Sequence, residues 1–189
     1  MDKDIFWQII EKSKQADKMN NLYDRCTILQ EELYNLSCED ILIFKAIFDT
    51  YHQLSYKMRL WAAAFVINSG CSDLAFEYFR AGLIIQGKDV YLNTLKNPEY
   101  LVEIGVSEGE WEVEEALYLC CKPFLEKQGL KENAYEEFVD AQEMFNLDRS
   151  EFETILAEIE YGPNIDDVWD ESDLLDMVPN LCKVFAWRY

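Results

Sequence analysis

Apolar residues along this chain recur at three- and four-residue spacings almost throughout. Nowhere do they alternate for long enough to build a sheet, so the pattern predicts helices. Ile5, Phe6, Ile9 and Ile10 place a stripe on an opening helix, and Leu22, Cys26, Leu29 and Leu33 repeat the spacing after Asn20. Ser37 with Asp40 three residues on resembles a capping box, although the acid is usually Glu or Gln, and Leu36 with Ile41 supplies the flanking staple. The helix that follows is expected to bury Phe44, Ile47, Phe48, Tyr51 and Leu54.

Residues 61–87 read as two apolar helices joined by Gly70-Cys71-Ser72-Asp73 and stopped by Gln86-Gly87. Ser72 or Asp73 caps the second, since either side chain accepts hydrogen bonds from orphaned N–H groups. Gly87 is expected as a left-handed C-terminal cap, after which Asp89 starts a short helix through Leu95 that Asn97-Pro98 stops. Beyond Gly105 and Gly109, the stripe Val113, Ala116, Leu117, Cys120 and Phe124 predicts a helix that Pro123 kinks or ends. Ala134, Phe138, Ala141 and Phe145 make the next stripe. Ser150 with Glu153 forms a capping-box pattern ahead of Phe152, Ile155, Leu156 and Ile159, with Gly162-Pro163 as the stop. A last helix from about Ser172 must bend or break at Pro179. The expected fold is all-α, a compact multi-helix bundle in which residues 1–189 form one domain, because no repeat or low-complexity linker divides them.

The block from Trp61 to Gly87 is where a family resemblance is densest. Together with Asp4-Ile5-Phe6-Trp7 at one end, and Trp169-Asp170-Glu171-Ser172-Asp173-Leu174 and Pro179-Asn180-Leu181 at the other, it resembles a bacterial family known as domain of unknown function 4240. Residues 103–165 share little with that family beyond helical, acidic character, and the last residues depart from its Pro-Arg-Leu-rich ending. The resemblance implies no established activity, and it makes the residues of the central block family-typical, which constrains fold as readily as function.

Half of the residues are hydrophobic, enough for a chain of this length to bury a core of its own. No run of 18 apolar residues occurs, and the start Met1-Asp2-Lys3-Asp4 is acidic, so neither a membrane span nor a secretory signal is expected and the protein is expected in the cytoplasm. The charge is concentrated in one half. Residues 1–97 hold 13 acidic and 11 basic side chains and form a near-neutral helical core, whereas residues 98–189 hold 24 acidic and 6 basic and form an acidic helical half. That imbalance argues against direct binding of nucleic acid, which needs Lys and Arg to displace counterions. It favours a basic protein as partner, whose approach the summed field accelerates, although acidic residues that merely keep helices soluble give the same composition.

Six cysteines lack Cys-x-x-Cys spacing or partner histidines, so they read as small core residues rather than as disulfides or a zinc site, and the adjacent Cys120 and Cys121 point about 100° apart on a helix. The one histidine, His52, restricts nucleophilic triads to His52 as base, and without a sequence cluster around it a helix-edge role fits better. The run from Asp166 to Asp173 lacks the glycine and terminal glutamate of a calcium loop, and no phosphate-cradling Gly-rich loop is present, so no metal or cofactor is expected.

One constellation carries a ligand-binding hypothesis. Asp73, Glu77 and Arg80 fall at i, i+4 and i+7 of one helix beside the Gly70-Cys71 turn, with Tyr78 and Trp61 flanking a possible groove. The plainer account is an N-cap acid plus an intrahelical Glu77–Arg80 ion pair. Two function classes follow. The first is an acidic protein-binding module, such as an immunity or inhibitor protein, that meets a basic partner through Glu132, Glu136, Glu137 and Asp140. The second is a small-ligand or metal-binding protein, or an enzyme, centred on the Gly70-Cys71-Ser72-Asp73 turn.

Overall fold

A computed structural model describes residues 1–131, 133–145 and 147–186, and among these there are twelve α-helices, one 3-10 turn and no strand. Helix α1 (Lys3–Ala16) starts where the Asp2 carboxylate accepts from the N–H groups of Asp4 and Ile5. Its buried face is Phe6, Trp7, Ile10 and Ser13, while Ile5 is 42% exposed. The expected stripe is therefore rotated, because Trp7 offers more apolar surface than Ile5 and its indole N–H finds a buried partner in the Tyr51 hydroxyl. Helix α2 (Leu22–Leu33), capped by Asn21, buries Leu22, Cys26, Leu29 and Leu33 as expected.

Helix α3 (Cys38–Leu54) begins at Ser37, whose hydroxyl oxygen accepts from the N–H of Asp40 at 3.0 Å. It buries Ile41, Phe44, Ile47, Phe48 and Tyr51. Helices α4 (Met58–Ile67) and α5 (Asp73–Ile85) are the two apolar helices of the central block. Every residue of α5 from Phe79 to Ile85 is buried, and α2, α3 and α4 all pack against this helix. Gly82 permits one such approach, since a Cβ there would lie 2.1 Å from the Trp111 carbonyl oxygen.

Helix α6 (Lys88–Lys96) stops before Pro98, and α7 (Tyr100–Glu103) is a single turn. Gly87 has φ +101° and ψ 165°, an extended glycine-only conformation rather than the left-handed helical cap expected for it. The reason is tertiary: the Glu11 carboxylate comes from α1 to accept from the N–H of Lys88 at 3.2 Å, where a Cβ on Gly87 would collide with it.

The acidic half departs most from the sequence pattern. The helix expected through Pro123 is divided into a 3-10 turn (Glu114–Tyr118) and helix α8 (Cys121–Lys127), in whose first turn Pro123 needs no donor. Helix α9 (Tyr135–Met144) buries Phe138, and α10 (Arg149–Glu158) buries Ile155. The cap of α10 is Asp148, not Ser150, and its carboxylate accepts from the N–H of Ser150 at 3.1 Å. An anionic cap also complements the helix dipole, which a serine does not. The final segment is broken as expected into α11 (Leu174–Met177) and α12 (Pro179–Val184), with Pro179 opening α12.

Both halves contribute to one hydrophobic cluster that runs from Phe6 to Cys182 and includes Ile155, Ile159, Leu174, Val178 and Leu181. A buried ion pair stands at its edge: Arg25 is fully buried, bonded to Asp17 Oδ2, Asn20 Oδ1, Gln86 Oε1 and the Ile85 carbonyl. All six cysteines are free thiols.

Candidate functional site

Ser72 is the cap of α5, its hydroxyl oxygen 3.2 Å from the N–H of Ala75, and Asp73 is the first helical residue with its carboxylate exposed. Glu77 is exposed as well. Arg80, by contrast, is only 3% exposed, so the three charged residues of the i, i+4, i+7 set do not converge on one solvent face. The expected Glu77–Arg80 ion pair is not formed. Arg80 turns instead into the angle between two rings, its guanidinium carbon 4.9 Å from the Tyr56 centroid and 5.0 Å from that of Phe76. Those rings are 5.6 Å apart and inclined at 63°. Trp61 stacks on Phe76 at 5.2 Å and meets the Tyr56 ring at 5.9 Å, anchored by its indole N–H to the Cys71 carbonyl at 2.9 Å. Tyr78 lies roughly 200° round the helix from Arg80, where its carbonyl accepts from Val113.

The partner that takes the place of Glu77 is His52, at the end of α3. Arg80 Nη1 donates to the His52 carbonyl at 2.6 Å and stands 3.4 Å from its Nδ1. His52 Nε2 lies 2.9 Å from the Glu77 carbonyl. A carbonyl only accepts, so Nε2 carries the proton and the Nδ1 lone pair faces the guanidinium. Burial, followed by the charge of Arg80, pushes the His52 pKa down to about 4. Burial likewise lowers that of Arg80. Sequence reading placed His52 one position beyond the buried stripe of its helix and missed this contact, because only the packing of α3 on α5 creates it.

The second predicted surface lies on α9. Glu136, Glu137 and Asp140 are exposed and form no ion pair with any described residue, while Glu132 falls outside the described residues. The opposite side of α9 holds Gln142, whose amide donates to Asp49 Oδ2 at 2.7 Å beside the 2.5 Å Lys45–Asp49 pair. Burial raises the Asp49 carboxyl pKa despite Lys45. A recess of about 390 Å³ opens there between Lys45, Tyr118, Tyr135 and Glu143, and another of about 480 Å³ lies between Glu99, Val102, Asn180 and Lys183. Neither touches Asp73, Glu77 or Arg80. A polar cluster that sequence reading did not find joins α1, α3, α6 and α10: Lys3 and Lys88 each reach Glu158 Oε2 at 2.8 Å. Among the described residues no group of three or more His, Cys, Asp or Glu is placed to hold a metal ion, and no helix is long and apolar enough to cross a membrane.

These helices, with α2, α3, α4 and α6 packed on α5 and the acidic-half helices α8, α9 and α10 packed on α3, define an all-α protein. The chain belongs to the family described as protein of unknown function (DUF4240), whose model matches residues 1–125. No curated protein and no solved structure matches it. The matched segment contains Trp61, Asp73, Glu77, Tyr78 and Arg80, whereas α9 and α10 lie beyond it.

Proposed function

We propose that the protein is a binding module whose acidic half engages a basic protein, in the manner of an immunity or inhibitor protein that meets a cationic toxin or nuclease. The observation that carries this reading is the surface of α9, where Glu136, Glu137 and Asp140 face solvent without a cation from the described residues. Exposed apolar side chains accompany them on the same helix, Tyr135 next to Glu136 in the chain and Met144 one turn beyond Asp140. Carboxylates interleaved with apolar groups suit a partner that brings both positive charge and hydrophobic contact. The bacterial cytoplasm is the setting this reading assigns, and six free thiols are in keeping with a reducing compartment.

The test uses a partner recovered on the full chain at low salt. Its association rate should fall steeply between about 0.01 and 0.15 M salt, as the reach of the field shortens from about 30 Å to about 8 Å. The triple variant Glu136→Gln, Glu137→Gln, Asp140→Asn should slow association while leaving the helical spectrum unchanged. An association rate indifferent to both salt and substitution overturns the proposal.

A further inference from the structure

Two arginines are buried among the described residues, and they are treated differently. Arg25 has a carboxylate partner, and each of its three nitrogens is hydrogen-bonded. Arg80 has no carboxylate within ion-pair distance among the described residues, all its hydrogen bonds run through Nη1 to His52, and its buried Nε has no hydrogen-bond partner there. A buried cation without a counter-charge is costly, and the two ring contacts offset only part of that cost. The unengaged atoms are also a particular pair. Nε and Nη2 form the edge of a guanidinium that grips a carboxylate through two parallel hydrogen bonds.

We propose that Arg80 anchors a carboxylate-binding site, in which the Nε–Nη2 edge holds the carboxylate of a small organic acid or of a peptide C-terminus, with the Tyr56 ring as its outer wall. One guanidinium with one free edge matches one planar monoanion in both charge and shape. Nε is covered in the structure, so the anion enters by displacing the exposed wall: Tyr56 lies in the connection between α3 and α4 and is 44% exposed, while Phe76 and the Trp61 ring stacked on it form the inner, aromatic side. The carboxylate whose charge acts most on Arg80 is that of Glu77, one turn earlier on α5, and it is exposed and forms no ion pair with the guanidinium, so the incoming anion takes a place that Glu77 leaves open. His52 completes the selection, because its Nδ1 lone pair approaches Nη1 and leaves the anion only the opposite edge. This site is independent of the α9 surface.

His52 is the chain's only histidine, which gives the test a single-residue reporter beside the site. The full chain is titrated with sodium acetate, with N-acetyl-dialanine bearing a free C-terminus, and with the same peptide amidated, while the His52 ring signals are followed by NMR. A saturable shift with either carboxylate and none with the amide is expected. Saturation by acetate identifies small acids as the source, and saturation by the peptide alone identifies a C-terminus. Arg80→Lys, which keeps the charge and loses the fork, should weaken binding by about tenfold or more. Should that variant fail to fold, Tyr56→Ala keeps the reporter and should weaken binding several-fold by letting water onto the ion pair. The proposal is overturned if no saturable shift occurs in the unmodified protein, as when Glu77 swings onto Arg80 in solution. It is equally overturned if sodium chloride reproduces the shift, or if a folded variant binds as tightly as the unmodified chain.

Discussion

The indole N–H of Trp7 donates to the Tyr51 hydroxyl at 2.9 Å, and that hydroxyl donates in turn to the Glu158 carboxylate. This relay links α1, α3 and α10 across the boundary between the near-neutral and acidic parts of the chain. Glu158 is the hub. Burial alone would raise its pKa, but hydrogen bonds from Lys3, Lys88 and Tyr51 outweigh burial and leave it below the ordinary glutamate value. Tyr51 responds in the opposite sense, its ionisation suppressed first by burial and then by the neighbouring carboxylate.

Glu158→Gln removes the charge that both ammonium groups pair with and should destabilise the protein by about 1–3 kcal/mol at neutral pH, the range for a hydrogen-bonded charged group left unpaired. A carboxyl whose folded pKa is depressed contributes stability above its unfolded value of 4.5, and that contribution is lost as pH falls through the folded value. Urea denaturation at a series of pH values should accordingly show a shallower acid limb in the variant.

Stability should also depend on His52 in a window of its own. Its unfolded value is 6.5 and its folded value about 4, so on acidification between these limits the unfolded chain takes up a proton that the fold refuses. Stability therefore falls as pH drops from 6.5 toward 4, and His52→Gln should flatten that interval. The ring resonances should titrate near 4, and a midpoint at 6.5 would show that the ring is not buried beside Arg80 in solution.

At the head of α5 the hydroxyl, not the neighbouring carboxylate, is the cap. Ser72→Ala should cost about 1 kcal/mol in thermal or chemical denaturation, while Asp73→Ala should cost only a few tenths from its place near the helix dipole. Equal losses at the two positions would reverse the assignment.

Thiol reactivity should divide the cysteines by burial. Cys26 and Cys71 are buried, their pKa values pushed up to about 12 by desolvation, and burial raises that of Cys120 still further. Only Cys38 and Cys121 are half-exposed. Under native conditions an aromatic disulfide reagent should titrate those two first, and the remaining four should react only when the protein is unfolded.

Gly82→Ala should be among the more damaging small substitutions. The added methyl meets a backbone carbonyl, that of Trp111, which no rotamer change moves aside. A loss of about 1–3 kcal/mol is expected, in the range of other overpacked interiors, and calorimetry measures it directly.

What the sequence makes legible here is what neighbouring residues decide. The stripe of α2, the stop at Asn97-Pro98 and the break at Pro179 depend on spacing and on the missing proline donor, and each stands where the pattern puts it. The rotation of α1 was hidden, since choosing Trp7 over Ile5 requires knowing that Tyr51 waits on another helix. Spacing does not rank Asp148 against Ser150, because two cap formers two positions apart compete for the same helix start. The site at Arg80 was half legible: the i, i+7 geometry singled out the residue, but its inward turn depends on His52, 28 residues earlier.

The tie from Lys3 to Glu158 spans 155 residues, and the N–H of Lys3 reaches Glu151 across 148. At about 5–20 residues per second, synthesis leaves α1 waiting roughly 8 to 30 seconds between its own emergence and that of the helix that closes over it. For that interval the Lys3 ammonium and the Tyr51 hydroxyl are without the Glu158 carboxylate. Completion of the fold is thus timed by translation of the acidic half, which lies largely beyond the residues 1–125 that the family model matches.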